Sequence, residues 1–342
     1  MLDGLLDPVF LVDPAHIIVD YNRAARQLVG AGALGQKLSE TLDSEQITAA
    51  IETTLGGTPG TRSEVFLAYP VARNYELNVW RLPDLKSPGP AWAMVVLHDV
   101  TAATKAAEMR ADFVANVSHE LRSPLASLLG FIETLRGPAR DDPEATERFL
   151  EIMESEAQRM TRLINDLLTL SKVETDEHIR PEGRVVLGTV LNQVIDILSV
   201  RAEECGMEIA INLPETLPPV LGDYDELIQV FQNLIANAIS YGRPDSSIGV
   251  TVTEKTNGSG EIPPGVSVAI TNRGDGIPCD EIPRLTERFY RVNKGRSRSM
   301  GGTGLGLAIV KHIISRHRAH MNIESTPGHE TVFTVHFPYA DA

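Results

Sequence analysis

Residues 113–125 combine a histidine, a carboxylate and a proline in one helix-period stretch. An imidazole attacks phosphorus only through an unprotonated ring nitrogen, and this side chain is largely neutral at cellular pH. Glu120 follows His119 and could hold the proton of the other ring nitrogen, which would make the nucleophile more basic. Pro124 lacks an amide hydrogen, so the helix should bend after His119 and expose it. The segment predicts a phosphate-accepting histidine, against the alternative of an ordinary surface histidine.

Two glycine turns and an amide-rich helix downstream suit a bound nucleotide. Backbone amides of a glycine turn that leads into a helix can face phosphate oxygens, and amide side chains spaced by four residues share one helix face. The three segments contain Gly302, Gly304, Leu305 and Gly306 in one turn, Asn272, Gly274, Gly276 and Ile277 in the other, and Gln229, Asn233 and Asn237 in the helix.

In this order, the segments resemble the H, N, G1 and G2 motifs of bacterial sensor histidine kinases, and residues 288–291 resemble the F motif. The resemblance extends over essentially the whole chain. It implies that ATP and Mg²⁺ are the cofactors and that His119 is autophosphorylated. It also implies transfer of the phosphoryl group to an aspartate in the receiver domain of a response regulator.

The same resemblance assigns the nucleotide contacts. Mg²⁺ prefers oxygen ligands, and the side-chain oxygen of Asn237 fits that role. A basic loop at residues 291–300 is typical of a mobile lid over the triphosphate, with Arg298 as its phosphate contact. The remaining contacts are Asn233 near the phosphates, and Tyr241 and Ile277 on either side of the adenine.

Three positions depart from the family pattern. The family reads adenine with an aspartate, and the matching residue is Asn272. Its amide oxygen can still accept a hydrogen bond, but the loss of charge assistance costs about 1–2 kcal/mol, or roughly tenfold in affinity. Family members commonly have a lysine after the second asparagine of the N motif, whereas this chain has Ser240 there, although Arg243 is close by. Glu330 replaces a late glycine, which leaves Thr331 as the hydroxyl on the adenine side.

Residues 126–138, 283–292 and 295–298 are similar to the phosphate-regulon sensor kinases (PhoR type) of proteobacteria. In that family the hydroxyl residue three positions after the glutamate of the H motif positions the water that dephosphorylates the regulator. This residue is Ser123, so phosphatase activity is expected to be retained.

The composition is that of an ordinary globular protein, with 342 residues and 42% hydrophobic content. A formal charge of −15 argues against nucleic acid as a partner, because binding phosphates requires a basic face. Cys205 and Cys279 are interpreted as reduced, buried thiols. No apolar run reaches the ~20 residues of a membrane span. A cytoplasmic location is therefore expected. Family members often carry membrane helices upstream, so two alternatives stay open: an N-terminal part that is missing from this chain, and association with membrane proteins.

The pattern predicts an α+β multidomain chain with three domains. Residues 1–100 alternate in short runs and resemble a PAS sensor domain with an antiparallel sheet. Residues 101–174 show two helix-period stretches, which predict a helical hairpin whose second helix starts at Pro143 with Asp142 as its N-cap. The family resemblance implies that this hairpin is the dimerisation and histidine phosphotransfer domain. Residues 184–340 alternate strands and helices, with a helix capped by Asp223 and strands at 248–253, 266–272, 321–325 and 331–337. This layout resembles the two-layer α/β sandwich of histidine kinases, type II topoisomerases, Hsp90 and MutL (GHKL ATPases). Polar residues 174–183 are expected to form a linker.

The helical hairpin has too wide an apolar stripe to be stable alone, so two copies should pair into a four-helix bundle and a homodimer is expected. Two rival functions stay open. A pseudokinase or phosphatase-biased scaffold with weakened ATP binding is motivated by Asn272. An ATP-driven clamp of the Hsp90 or MutL kind shares the nucleotide fold but gives no reason for the His119 motif.

Overall fold

A computed structural model describes residues 2–82, 92–255, 263–292 and 302–339. The chain divides into two compact units, Met1–Ala115 and Asn116–Ala342, and each unit contains its own five-stranded sheet. Among the described residues, no helix is both long and apolar enough to cross a bilayer.

The first unit is built on an antiparallel sheet. Its elements are β1 (Val9–Val12), β2 (Ile18–Tyr21), α1 (Arg23–Val29), α2 (Leu38–Leu42), α3 (Glu45–Leu55), β3 (Gly60–Leu67), β4 (Arg73–Leu82) and β5 (Trp92–Asp99). The strand order is β2-β1-β5-β4-β3. Alternate side chains enter the core, as Tyr75, Leu77 and Val79 of β4 do, because successive residues of a strand point to opposite faces.

Two long helices follow, namely α4 (Thr101–Arg136) and α5 (Pro143–Asp176). α4 continues through Pro124 without interruption. The Asp142 side chain caps α5 by accepting a hydrogen bond from a first-turn N–H at 3.0 Å, and Pro143 lies at the helix start. Phe131 and Phe149 stack with ring centroids 5.3 Å apart. The predicted hairpin and its cap are therefore present.

The rest of the second unit is a sheet covered by helices. Its elements are β6 (Arg184–Val185), α6 (Leu187–Glu204), β7 (Glu208–Asn212), β8 (Val220–Leu221), α7 (Tyr224–Tyr241), β9 (Ser247–Lys255), β10 (Gly265–Arg273), α8 (Gly306–Arg316), β11 (His320–Ser325) and β12 (Glu330–Pro338). The strand order is β11-β12-β10-β9-β7, with β7 parallel to β9 and the other neighbours antiparallel. The four strands predicted from the sequence correspond to β9, β10, β11 and β12.

α7 shows how the sequence positions the amide residues. The Asp223 side chain accepts hydrogen bonds from the N–H groups of Asp225 and Glu226, so the helix begins where predicted. Leu227, Phe231, Leu234, Ile235, Ala238 and Ile239 are buried on its core face. Asn233 and Asn237, four residues apart, are only partly buried and remain available to a ligand.

α5 packs against α8, so the helical hairpin and the sheet domain share an interface within the second unit. Polar contacts extend that interface past the end of α5. Glu174 pairs with Arg288 at 2.6 Å, Glu177 lies 2.9 Å from His312, and the Ile179 carbonyl accepts from Arg316 at 2.9 Å. Residues 174–183 were expected to be a linker, but α5 continues to Asp176. The segment contacts the sheet domain because its acidic side chains lie opposite cations of that domain.

Cys205 and Cys279 are exposed, so the prediction of buried thiols was wrong. Cys205 follows the last residue of α6, and Cys279 lies in a turn. Helix ends and turns lie at the surface, which overrides the usual preference of a free cysteine for the core.

The buried His317 gives a pH prediction. Its Nε2 accepts from the Asp223 N–H at 3.0 Å and its Nδ1 donates to the Ile313 carbonyl at 2.8 Å, an arrangement that fits the neutral ring. Burial lowers the pKa of His317. The unfolded chain therefore binds the proton more tightly, so the stabilisation is fully present above the unfolded pKa, about 6.5. It is lost as the pH falls from there through the lower folded pKa. We expect the urea midpoint of the second unit to fall from about pH 7 to about pH 5.

The matched comparison uses His317→Gln and His178→Gln. His317→Gln should unfold at lower urea but lose part of the pH dependence, whereas the variant of the exposed His178 should keep the wild-type dependence. An unchanged pH dependence in His317→Gln would contradict the assignment.

Candidate active site

A cavity of about 420 Å³ lies between α7, the two glycine turns, β12 and α5. Ten residues predicted from the sequence line it, namely Asn233, Asn237, Tyr241, Asn272, Gly276, Ile277, Gly302, Gly304, Gly306 and Thr331. The fold thus gathers three separate sequence segments and the start of β12 around one space large enough for a small-molecule ligand.

Two glycines are required by close approach. Gly276 has φ +72°, and a Cβ there would lie 2.5 Å from the Thr326 carbonyl oxygen. A Cβ on Gly306, at the start of α8, would lie 2.7 Å from the side-chain oxygen of Asn233. These glycines therefore let the first turn pack against residues 326–327 and the start of α8 pack against Asn233 at the edge of the cavity.

Asn272 and Thr331, the two residues predicted to contact adenine, are directly paired across β10 and β12 and are both buried. The Ser325 hydroxyl accepts from the Ile277 N–H at 2.9 Å and lies 2.7 Å from the Thr331 hydroxyl. Ser325 therefore fixes the turn that carries Ile277. No sequence pattern points to Ser325, because its contact with Thr331 depends on how β11 pairs with β12.

The cation nearest Ser240 also differs from the expectation. Arg243 donates to the Gly328 carbonyl at 2.9 Å and does not line the cavity. Arg201 of α6 lines it instead and lies 3.3 Å from the Ser240 hydroxyl. A positive charge is therefore present near Ser240, but it comes from a helix 39 residues earlier in sequence.

Of the three other residues predicted to bind the nucleotide, the two that the structure describes do not line the cavity. A Cβ on Gly274 would lie 2.4 Å from the Tyr241 carbonyl oxygen, so this glycine lets the turn pack against the end of α7. Leu305 is fully buried and its side chain belongs to the core. Arg298, the proposed lid contact, lies outside the described residues.

His119 and Ser123 are exposed on α4. The Glu120 carboxylate lies 2.5 Å from Arg159 of α5 and 3.9 Å from Arg291. Adjacent residues of a helix do not face each other, so adjacency in the sequence does not by itself bring the Glu120 carboxylate to the His119 ring. A base role for Glu120 also requires its carboxylate to leave Arg159.

The helical hairpin contributes to the cavity wall, which the sequence did not predict. Arg162 and Asp166 of α5 line the cavity, and the Thr303 hydroxyl donates to the Asp166 carboxylate at 2.6 Å. Burial raises the pKa of Asp166, and the hydrogen bond from Thr303 opposes that change. In the sequence of α5, Asp166 cannot be distinguished from the other acidic residues. Only the packing of α5 shows that it lines the cavity.

The residues present fit a magnesium nucleotide. Among the described residues, no group of three His, Cys, Asp or Glu side chains could hold a metal ion. Mg²⁺ needs only one or two protein oxygens together with substrate phosphates, and Asn237 offers an amide oxygen in the cavity. Gly302, Gly304 and Gly306 line the cavity without side chains, which suits backbone contact with phosphate oxygens.

Two family models match the chain. One is the His Kinase A (phospho-acceptor) domain, at residues 109–176, and the other is the histidine kinase-, DNA gyrase B-, and HSP90-like ATPase, at residues 222–341. The first contains the exposed His119, and the second contains most of the cavity wall. The chain belongs to the sensor histidine kinase family. The family inferred from the sequence motifs is thereby confirmed.

Curated sensor kinases are similar over most of this chain. The phosphate regulon sensor protein PhoR of Pseudomonas aeruginosa is 38% identical over 246 residues, which are 71% of this chain and 53% of that protein. SenX3 of Mycolicibacterium smegmatis, a sensor-like histidine kinase, is 35% identical over 72% of this chain and 62% of its own length. The sensor protein kinase WalK of Staphylococcus saprophyticus is 35% identical over 72% of this chain and 39% of its own length. The chain spans about half the length of the curated relatives it matches.

A solved sensor kinase shares the fold. The histidine kinase ThkA, in complex with the response regulator protein TrrA, matches 97% of this chain and 95% of its own, with a TM-score of 0.52 and 21% identity.

Proposed function

We propose that this chain is a protein-histidine kinase that moves the γ-phosphoryl group of Mg-ATP to His119 and then to an aspartate of a response regulator. One observation carries the proposal. A single compact unit contains both a glycine-lined cavity with ten nucleotide-site residues and an exposed histidine within the phospho-acceptor match. A clamp of the Hsp90 or MutL kind would need the cavity but not the histidine.

The chemistry follows from these residues. An unprotonated ring nitrogen of His119 forms a bond to the γ-phosphorus while the bond from that phosphorus to the bridging oxygen breaks, and ADP leaves. Asn237 would hold the metal, with Asn233 beside the phosphates. When bound, Mg²⁺ would neutralise charge on the phosphate oxygens. Glu120 would take up the proton of the second ring nitrogen after leaving Arg159.

Labelling tests the proposal. Wild-type protein incubated with Mg-ATP labelled at the γ position should acquire acid-labile phosphate. If ATP binds but no label appears at saturating concentration, the pseudokinase or phosphatase-biased scaffold becomes the better function.

Asn272→Asp should strengthen ATP binding by up to about tenfold, because a carboxylate accepts a stronger hydrogen bond from the adenine amine than an amide does. Labelling at low ATP should rise in parallel. Asn322→Asp on β11 is the control, because Asn322 is exposed and outside the cavity wall. Equal or weaker ATP binding in Asn272→Asp would exclude the proposed adenine contact.

We also propose a homodimer. Leu125, Leu129, Leu150 and Leu168 on α4 and α5 are at least half exposed. A second hairpin would cover such apolar side chains in a four-helix bundle.

The domain limits remain proposals, with a PAS-like sensor at residues 1–100, the dimerisation and phosphotransfer domain at 101–174 and the ATPase domain at 184–340. The strand order β2-β1-β5-β4-β3, with three helices between β2 and β3, supports the sensor assignment. The boundary between compact units falls within α4, at Ala115 and Asn116. Thermal unfolding of residues 1–115 expressed alone tests whether the first unit folds independently.

A response regulator of phosphate starvation is the proposed partner, on the basis of the similarity to PhoR and the regulator complex of ThkA. Ser123, exposed one turn after His119, is proposed to position the water that dephosphorylates the regulator. We expect Ser123→Ala to slow clearance of regulator phosphate by at least about tenfold. Ser127→Ala, one turn further along α4 and also exposed, is the control. An unchanged clearance rate in Ser123→Ala would remove this role.

A further inference from the structure

The glycine turn before α8 is held by two carboxylates of the helical hairpin. The Thr303 hydroxyl donates to Asp166 at 2.6 Å. Arg291 donates to the Gly302 carbonyl, and its guanidinium lies 3.9 Å from Glu120. Adjacent residues of the turn are therefore tied to α5 and, through an arginine, to α4.

Asp166 also acts on the start of α8. The Thr303 hydroxyl accepts a hydrogen bond from the N–H of Leu305, the N-cap of α8, at 3.3 Å. One hydroxyl thus connects the positive end of the helix to a carboxylate that lines the cavity. Phosphate oxygens bind at such turn amides and helix N-termini for the same electrostatic reason.

We propose that Asp166 is an internal anion at the phosphate end of the nucleotide cavity, and that it competes with the phosphates of ATP for the glycine turn. This inference rests on the proposed function. Binding of a triphosphate then displaces Asp166 from Thr303 and loosens the contact between the turn and α5. Arg162, one turn earlier on α5 and in the same cavity wall, offsets part of the negative charge and limits the size of the effect.

The discriminating variant is Asp166→Asn, which removes the charge but keeps an oxygen that can accept from Thr303. Binding of Mg-ATP and of neutral adenosine to the full chain is measured by calorimetry at fixed pH and salt. We expect the Kd for Mg-ATP to fall by about fivefold to tenfold, while the Kd for adenosine stays within about twofold. Glu151→Gln is the control, since Glu151 is exposed on the same helix, outside the cavity wall, and the net charge changes equally.

Each outcome decides one point. An unchanged Kd for Mg-ATP in Asp166→Asn overturns the competition, and so does an equal change for adenosine, because that would indicate structural loosening rather than charge. In both cases the proposed function stands. If wild type and Asp166→Asn bind neither ligand, the proposed function fails and the inference fails with it.

Discussion

Replacement of His119 by alanine is expected to remove acid-labile phosphate from the protein, with a loss of roughly 10³-fold or more, because alanine has no ring nitrogen to attack the phosphorus. His119 is exposed on α4, and alanine favours helix, so the fold should be retained. ATP binding should also be retained, because His119 does not line the cavity. The measurement is phosphate incorporation from labelled Mg-ATP at saturation, together with the Kd for ATP.

His178→Ala is the matched control, since His178 is an exposed histidine outside the cavity wall. It should label like wild type. Persistent labelling of His119→Ala would show that another residue accepts the phosphoryl group. Loss of ATP binding in the same variant would show that the substitution disturbs the fold rather than the chemistry.

Gly276→Ala is expected to weaken ATP binding by about a hundredfold or more. A left-handed φ costs a non-glycine residue about 1–2 kcal/mol. In addition, the new Cβ would lie 2.5 Å from the Thr326 carbonyl oxygen and 2.6 Å from the Pro327 Cα, both of them backbone atoms. The turn must therefore shift, and Ile277 shifts with it, away from the hydrogen bond to Ser325. Calorimetric titration with Mg-ATP measures the effect.

Gly30→Ala separates the conformational strain from the steric effect. Gly30 has φ +85° but no atom within 4 Å of the added Cβ, and it lies in the first unit. Both variants should lose stability to unfolding, but only Gly276→Ala should lose ATP binding. Similar ATP affinity in Gly276→Ala and wild type would mean that the turn does not contact the nucleotide.

Local signals predicted most elements. The caps at Asp142 and Asp223 form within a few residues of chain, so the starts of α5 and α7 could be identified from the sequence. Most strands of the two sheets, though not β7, follow from alternation of apolar and polar residues. The motif residues were also recognisable, because close backbone approach requires glycine whatever the surroundings.

Contacts between distant segments were not predictable in the same way. Arg201, rather than Arg243, is the cation that lies next to Ser240, because α6 packs against α7. Ser325 lies within hydrogen-bonding distance of Thr331 because of the register of β11 and β12. These contacts join residues whose own sequence neighbourhoods contain no matching pattern.

By itself, the sequence identified the residues that are proposed to carry the chemistry, namely the histidine of α4, the amides of α7 and the glycines of two turns. Hydrogen bonding, helix periodicity and steric limits on the backbone act over a few residues, so their patterns can be read along the chain. Only the tertiary structure decided that α5 packs against α8 and places Asp166 in the nucleotide cavity. Side-chain packing between elements depends on the summed shape and charge of both surfaces, and no local pattern encodes that sum.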